Sequence, residues 1–176
     1  MAISSTEFRR LLSHFATGVT IVTTRSGDVV HGMTVNAFCS VSLEPPLVLF
    51  CADHKTRTYE LVKASGIFAV NILTTAQQDL SDRFGGKIGD DEDRFVGLAY
   101  TDGPTGSPLI ADCLAYLDCR VVAAHPAGDH TIFVGEVVWG RVNQAIPDGP
   151  LLFYRSRYER LETPDLAATP RDRRTP

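Results

Sequence analysis

The sequence is poor in several features that mark particular classes of protein. Only 3 of its 17 basic residues are lysine, and 21 acidic residues outnumber them, so the net charge is −4. A nucleic-acid-binding protein usually carries a basic face, and this composition argues against such a partner. No apolar run approaches the roughly 20 residues that span a bilayer, and the N-terminal residues lack the apolar core of a secretory signal. We therefore expect a cytoplasmic protein with no membrane or nucleic-acid partner.

Sequence motifs for metal ions and for common catalytic centres are missing as well. There is no Cys-x-x-Cys pair, Walker A loop, Gly-x-Gly-x-x-Gly, His-Glu-x-x-His or Gly-x-Ser-x-Gly. We expect no metal site and interpret the acidic run at 90–93 as a solvated loop. The cysteines are predicted to be free thiols in the core: Cys39, Cys51, Cys113 and Cys119. Any catalysis then depends on a bound organic cofactor, which brings its own reactivity.

The composition is that of one globular domain. The chain has 176 residues, of which 44% are hydrophobic and 22% charged, and this length suits a single domain. The last residues, 163–176, contain three prolines and three arginines with few apolar side chains. Such a composition predicts disorder. We therefore predict a folded domain over 1–162 and a disordered tail over 163–176.

Hydrophobic periodicity predicts few helices and many strands. Ser4 and Glu7 have the spacing of a capping box, and an apolar helical face follows up to Gly18, made of Phe8, Leu11, Leu12 and Phe15. Two more helices are expected over 56–64 and from a capping box at Thr75 and Gln78 up to residue 84. Strands are predicted over 19–24, 29–37, 41–52 (broken by two prolines), 67–73, 114–124, 131–143 and 151–154. Because most of them follow one another as hairpins, we predict a mostly antiparallel β-barrel with peripheral short helices.

Several segments together resemble one protein family. Residues 32–50, GMTVNAFCSVSLEPPLVLF, are similar to the signature of the short-chain flavin reductases, the reductase components of two-component flavin-dependent monooxygenases. The resemblance continues through 55–56, 65–73, 80–84, 93–95, 128–130 and 150–154, and so covers about residues 6–161. It implies a split β-barrel that binds FMN or FAD, forms a homodimer, oxidises NADH or NADPH and passes reduced flavin to a partner monooxygenase.

The resemblance assigns flavin contacts to the strand around residues 34–42. Thr34, Val35 and Asn36 would lie along the flavin, while Ser40, Val41 and Ser42 would lie at its ribityl chain or phosphate. The alternative for Thr34 and Ser40 is that they are ordinary strand residues.

A second group of candidates precedes the helix predicted at residue 56. His54, Lys55 and Thr56 would hold the flavin phosphate, because N–H groups at a helix start, a hydroxyl and a cation favour an anion. The alternative is that Thr56 only caps the helix beside solvated charges.

Other candidates surround the ring. Arg83, Phe84 and Phe95 would close the site around the flavin or the nicotinamide, although both phenylalanines also suit a core. Tyr154 and Tyr158 either stack on a ring or line the dimer interface. Asn71, in an apolar strand, must be hydrogen-bonded when buried, either to backbone or to ligand.

His130 is the one catalytic candidate. It follows the turn at Gly128–Asp129, and the resemblance places it beside the nicotinamide, where an imidazole would orient the ring or assist proton delivery. The alternative is a histidine that caps the turn. The sequence leaves FMN or FAD, and NADH or NADPH, open. The rival functions are a flavoprotein that keeps FMN for another substrate and a non-catalytic flavin-binding module.

Overall fold

The structure, a computed structural model, describes residues 3–87 and 92–161. Within them lie three α-helices: α1 Ser5–Leu12, α2 Arg57–Ser65 and α3 Gln78–Asp82. The strands are β1 Thr17–Gly18, β2 Thr20–Ser26, β3 Val29–Val35, β4 Phe38–Leu43, β5 Pro46–Asp53, β6 Ile67–Ile72, β7 Tyr100–Asp102, β8 Pro108–Ile110, β9 Ala115–Ala127, β10 His130–Val142, β11 Leu151–Tyr154 and β12 Arg157–Arg160. A 3₁₀ turn, Thr75–Gln77, precedes α3, and a wider turn, Arg83–Lys87, follows it.

Seven strands form one antiparallel sheet in the order β3-β2-β6-β9-β10-β5-β4. The two edge strands, β3 and β4, are consecutive in the chain, and only Asn36 and Ala37 lie between them. Two residues span less than about 11 Å, so the sheet must curl until its edges come close together. The result is a barrel that is split between β3 and β4, and it confirms the predicted mostly β, antiparallel class.

The inside of the curled sheet is filled by a phenylalanine cluster. The ring centroids of Phe50 and Phe68 lie 4.8 Å apart, and those of Phe50 and Phe133 lie 5.4 Å apart. Gly135 has no side chain because a Cβ there would lie 2.4 Å from Cζ of Phe68. Burial of these rings is the main source of stability of the barrel.

A second cluster packs outside the barrel, under a small sheet formed by β1, β11 and β12. Val19, Ile21, Leu73 and Ile110 are among its buried members, together with Phe84. The pairing of β1 with β11 joins Thr17 to Phe153, residues that are far apart in the sequence. This small sheet brings the N-terminal segment to the split of the barrel.

Local signals place α2 as predicted. The hydroxyl of Thr56 accepts a hydrogen bond from the N–H of Tyr59, and Gly66 ends the helix with a φ of +70°, in the left-handed region. In α1, Ser4 caps the N–H of Glu7 as predicted. The helix ends at Leu12, however, and none of its residues is buried.

Several sequence expectations need correction. The strand predicted over 41–52 is a hairpin of β4 and β5, because Pro45 lies in the turn between them. The cap of the third helix is one residue earlier than expected: the side chain of Gln77 accepts from the N–H of Thr74. Strands β1, β7, β8 and β12 were not predicted. Cys113 and Cys119 are buried and all four thiols are free, but Cys39 is exposed rather than part of the core.

The predicted tail, 163–176, and part of the acidic run, residues 90–91, lie outside the described residues. Among the helices of the described part, none has the length and apolar character needed to cross a membrane.

Candidate active site

Two cavities meet at Asn36, in the split of the barrel. The larger, of about 360 Å³, is lined by Leu12, Phe15, Thr17, Asn36, Ala37, Phe38, Cys39, Leu49 and Cys51. The smaller, of about 230 Å³, is lined by Val19, Thr34, Asn36, Ser81, Gly85, Phe153 and Tyr158. We call the larger one the split groove and the smaller one the turn cavity. Asn36, predicted on the flavin, thus lies where the two spaces join, and Thr34, also predicted there, lines the turn cavity.

The split groove is mainly apolar and contains one buried polar atom that lacks a hydrogen bond. The hydroxyl oxygen of Thr17 is buried and has no hydrogen-bond partner among the described residues. Leaving a buried hydroxyl unpaired costs about 1–3 kcal/mol, so a ligand that bonds to it would be stabilised. Asn36, on the rim, is exposed and free to present its amide. An apolar slot with a few polar groups is the usual character of a site for a flat heterocycle.

In the turn cavity, by contrast, the polar side chains other than Asn36 are bonded to the protein. The hydroxyl of Thr34 donates to the carbonyl of Ser81 at 2.6 Å, and that of Tyr158 donates to Oδ1 of Asp82 at 2.8 Å. Burial is the largest cause that raises the pKa of Tyr158, which keeps its hydroxyl protonated. These contacts fix the shape of the wall. Tyr158 therefore lies at a cavity, whereas Tyr154 lies edge-on to His14, at a centroid distance of 6.3 Å.

In the loop between β5 and α2, most of the groups predicted to bind an anion are hydrogen-bonded within the protein. The N–H of Lys55 donates to Oδ1 of Asp53, and the N–H of Thr56 donates to the carbonyl of Asp53. The hydroxyl of Thr56 also donates to that carbonyl, so the helix-cap alternative describes its contacts. His54 is bonded to the hydroxyl of Thr131 at 2.9 Å. What remains for an anion is the exposed side chain of Lys55, for which no ion pair with a described residue is found.

His130 begins β10 on the outward face of the sheet. Thr131 and Phe133 point inward, so His130 and Ile132 point outward, and Ile132 lies opposite Cys51 of the split groove. One pleat of about 7 Å separates His130 from that pair. Its Nδ1 lies 2.7 Å from Oδ1 of Asp129. Since a carboxylate only accepts, Nδ1 carries the hydrogen of this bond.

The same contact acts on the aspartate. Its hydrogen bond to His130 is the largest cause that holds the pKa of Asp129 below the ordinary value. Both side chains are largely exposed, at 42% for His130 and 84% for Asp129. The pair therefore orients the imidazole and contributes little to stability.

The other residues predicted to contact the flavin are buried in the core, hydrogen-bonded to the protein, or located on the edge strand β4. Val35, Phe84 and Phe95 are buried in the two core clusters. Arg83 donates to the carbonyl of Val96 at 2.7 Å. The residues 40–42 lie on the edge strand β4, where the register shifts between Ser40 and Ser42 around Val41, and continue away from the groove. The structure thus brings Thr34 and Asn36 together at the split, and places His130 near them on the outward face.

Asn71 was expected to bond either to backbone or to ligand, and it is bonded to the protein. Its amide nitrogen donates to the carbonyl of Ile21 and to the hydroxyl of Thr23, and its oxygen accepts from the N–H of Ile110. The side chain is fully buried, and its hydrogen bonds join the barrel wall to the β7–β8 hairpin.

Several lining residues were missed from the sequence. Thr17 lies beside the groove because β1 pairs with β11, and Leu12 and Phe15 approach from the end of α1. Phe153 reaches the turn cavity through the same small sheet. Their local patterns resemble those of other strand and helix residues, so only the long-range pairing identifies them.

The residues of the split suit a flavin. The apolar walls match a planar ring, and the unpaired hydroxyl of Thr17 and the exposed amide of Asn36 are the groups that would bond its polar edges. The cation of Lys55 suits a phosphate. When bound, the flavin supplies the redox chemistry by accepting a hydride from a nicotinamide.

The curled antiparallel sheet and its groove place the protein in the class of split β-barrel proteins. Comparison with known families identifies the family. The model of the flavin reductase-like domain matches residues 12–162, and the chain belongs to that family. Both the family and the fold expected from the sequence are thereby confirmed.

Individual relatives extend the comparison. HsaB, the reductase subunit of a flavin-dependent monooxygenase of Mycobacterium tuberculosis, is 43% identical over 155 residues, 88% of this chain and 81% of that protein. The structure of flavin reductase PheA2 is 40% identical with a TM-score of 0.82, covering 92% of this chain and 100% of that one. The NADH:FAD oxidoreductase SgcE6 of Streptomyces globisporus C-1027, in complex with NAD and FAD fragments, is 36% identical with a TM-score of 0.82, covering 92% of this chain and 94% of that one.

Proposed function

We propose that this protein is an NADH-dependent flavin reductase that reduces FMN or FAD and supplies the reduced flavin to a partner monooxygenase. The observation that carries the proposal is the apolar groove in the split of the barrel, with the unpaired hydroxyl of Thr17 inside it. The names of HsaB and SgcE6 support the monooxygenase partner and the choice of NADH over NADPH. We assign residues 1–162 to one such domain and place the protein in the cytoplasm, which suits its four free thiols.

The flavin ring is assigned to the split groove. Thr17 and Asn36 would bond the polar edges of the ring, and Leu49 and Cys51 would contact its flat face. Thr34 would act without touching the flavin, because its hydroxyl is bonded to the carbonyl of Ser81 and fixes the turn beside the ring. The groove lies on the surface and is not enclosed by the described residues of one chain.

The phosphate is assigned to the start of α2. Lys55 and Arg57 are exposed there and both carry positive charge, and the helix N-terminus adds its own partial positive charge. The carboxylate of Asp53 is held by the N–H of Lys55. Thr56 contributes by ending the loop and starting the helix rather than by contact with the ligand.

His130 is assigned to the nicotinamide. Asp129 fixes its Nδ1 hydrogen, so Nε2 is presented to the outward face as an acceptor, one pleat from the groove. An acceptor there would bond the carboxamide of the nicotinamide and hold its ring against the flavin. Hydride transfer needs reacting atoms about 3–3.5 Å apart, so the work of these side chains is positioning.

A homodimer accounts for the exposed apolar face of α1. The exposed fractions are 51% for Phe8, 51% for Leu11, 55% for Leu12 and 73% for Phe15, and the helix buries no residue. Such a face would be costly in water, and the groove lies directly beside it. A second copy packed on α1 would cover this face and close the split groove. Light scattering should give twice the chain mass, and Leu11→Glu should give monomers.

The activity is tested by the oxidation of NADH and NADPH, followed at 340 nm with FMN and with FAD. We expect turnover that saturates with free flavin, and reduced flavin that crosses a dialysis membrane under anaerobic conditions. His130→Ala should lower kcat at least tenfold with a smaller effect on flavin affinity. His125→Ala, an exposed histidine on the neighbouring strand, serves as the matched control. No turnover with any of the four pairs of substrates would overturn the proposal.

A further inference from the structure

A third cavity lies far from the split, between the β7–β8 hairpin and the ends of β9 and β10. Its volume is about 260 Å³, and its lining residues are Ala99, Tyr100, Thr101, Leu109, Ala111, Tyr116, Trp139, Arg141 and Asn143. We call it the hairpin cavity. Along β10, Trp139 is nine residues from His130, or about 30 Å at the rise of a strand. The hairpin cavity is therefore separate from the proposed flavin site.

Aromatic side chains form its walls. Arg141 lies opposite Tyr116 in the register of β9 and β10, and Trp139 precedes Arg141 by two residues, so all three share one face of the sheet. Tyr100 approaches from the hairpin and is held edge-on to Phe95, with centroids 5.2 Å apart. Three aromatic rings around a space of this size suit a single flat ring as the ligand.

The positive charge at this cavity is not neutralised. No ion pair joins Arg141 to a carboxylate of the described residues. Two nearby acids are engaged elsewhere: Asp102 pairs with Arg25, and buried Asp118 accepts from the N–H of Thr105 at 2.7 Å. A third, Asp112, is exposed to solvent and acts on Tyr116 only through its charge. An exposed guanidinium beside aromatic rings can therefore receive an anion from outside.

Tyr116 adds a neutral donor. Burial is the largest cause that raises its pKa, so the hydroxyl stays protonated at neutral pH. The hydroxyl oxygen already accepts from the N–H of Cys113 at 3.1 Å, which fixes the ring in place. Asn143, which lines the same wall, is already bonded: its side-chain oxygen accepts from the N–H of Ala145 at 3.3 Å, and its side chain is also hydrogen-bonded to Tyr116.

We propose that the hairpin cavity is a binding site for a monocyclic aromatic carboxylate, with its ring against Trp139 and its carboxylate on Arg141. A guanidinium binds a carboxylate through two parallel hydrogen bonds, and an aromatic ring contributes apolar contact. Drug-sized ligands occupy about 300–1,000 Å³, so 260 Å³ favours one ring over a flavin or a dinucleotide. The site is independent of the proposed reductase activity.

The only tryptophan of the chain reports on this cavity. The fluorescence of the full-length protein, excited at 295 nm, is titrated with benzoate, with benzyl alcohol as the uncharged ring and with acetate as the carboxylate without a ring. We expect a saturable change with benzoate and at least tenfold weaker binding of the other two. The absence of a saturable change with benzoate would overturn the proposal.

Variants test the geometry. Arg141→Gln should raise the Kd for benzoate at least tenfold, and Arg141→Lys should raise it less. Arg157→Gln, an exposed arginine on β12, should leave it unchanged. Circular dichroism and thermal unfolding confirm that the variants are folded. An unchanged Kd in Arg141→Gln would overturn the proposal.

A last variant separates the two sites. Asn36→Ala, at the split groove, should weaken flavin binding and leave benzoate binding unchanged. If it weakens benzoate as much as Arg141→Gln does, benzoate occupies the flavin groove, and the proposal is wrong.

Discussion

Polar side chains in the wall of the barrel and at its split differ in where their hydrogen bonds go. In the wall, Asn71 makes three hydrogen bonds to the protein, and Asp118 accepts from both the N–H and the hydroxyl of Thr105. At the split, the buried hydroxyl of Thr17 has no partner in the described part of the chain. Satisfied polar groups hold a fold together, whereas an unsatisfied one needs an explanation. The difference separates structural from ligand-binding residues more sharply than residue type does.

The largest effect is expected at Asn71. Asn71→Leu would leave the N–H of Ile110 buried without its partner and would remove the two hydrogen bonds that Asn71 donates to Ile21 and Thr23. At about 1–3 kcal/mol for the orphaned group and about 1 kcal/mol for each lost bond, we expect a loss of about 3–5 kcal/mol in the free energy of unfolding, measured with urea. The matched change Asn36→Leu, at the split, should cost less than about 0.5 kcal/mol and weaken flavin binding. Equal losses of stability in the two variants would remove the distinction between wall and split.

Two glycines provide a second pair of matched substitutions. In Gly135→Ala the new methyl group would lie 2.4 Å from Cζ of Phe68, and overpacking of this kind costs about 1–3 kcal/mol. In Gly85→Ala the nearest atom would be the Thr34 hydroxyl at 3.8 Å, an ordinary contact. We expect unchanged stability for Gly85→Ala, because the methyl group enters the open space of the turn cavity. A stability loss at Gly85 larger than that at Gly135 would contradict this assignment.

The thiols should behave as two classes with pH. Burial raises the pKa of Cys113 and of Cys119 to about 12, whereas Cys39 is exposed. Because the folded-state pKa is raised above the ordinary value near 9.0, the stabilising contribution is complete below about pH 8.5 and is lost as pH rises toward 12. Urea unfolding between pH 8 and pH 11 should show this decline.

Single substitutions separate the two classes of thiol. Cys119→Ala should flatten the decline of stability with pH, and Cys39→Ser should not change it. Maleimide at pH 7.5 should modify Cys39 in the folded protein and Cys113 only after unfolding. Rapid modification of Cys113 in the folded state would show that the wall is more open than described.

The smallest effect on stability is expected at Asp129. Its hydrogen bond to His130 lowers its pKa, so any contribution is present above about pH 4 and is lost as pH falls through the folded-state pKa. The side chain is exposed, and Asp129→Asn should leave the urea midpoint unchanged at pH 7. It should lower kcat several-fold, because an amide can turn either its oxygen or its NH₂ group toward the imidazole and no longer fixes the hydrogen on Nδ1. A large fall in the midpoint would instead make the pair a structural one.

Local patterns were enough to predict much of the fold. Thr56 and Gly66 bracket α2 as expected, and the long β9–β10 hairpin follows from two strands around a turn. The hairpin of β7 and β8 was missed because its connection contains two glycines and a proline (103–106), which suggest a loop. The strand over 41–52 was treated as one element because both halves are apolar, and only pairing shows that they fold back.

Candidate site residues could be named from the sequence where they lie within the motif over 32–50. Thr34 and Asn36 lie at the split because two residues connect the two edge strands, a local property. Thr17 could not be predicted from the local sequence, because its position depends on the pairing with Phe153. Thr56 showed a pattern shared by a helix cap and a phosphate ligand, and residue type alone does not separate the two.

The most direct test of the account is Thr17→Val, which removes the unpaired hydroxyl and keeps the shape of the side chain. The dissociation constant of FMN, from quenching of its fluorescence, and the urea unfolding of the flavin-free protein are measured on the same preparation. We predict flavin binding weaker by about tenfold, the worth of one hydrogen bond of about 1.4 kcal/mol, with stability unchanged or slightly higher. Unchanged flavin binding together with a loss of stability would show that the hydroxyl serves the fold and that the split groove is not the flavin site.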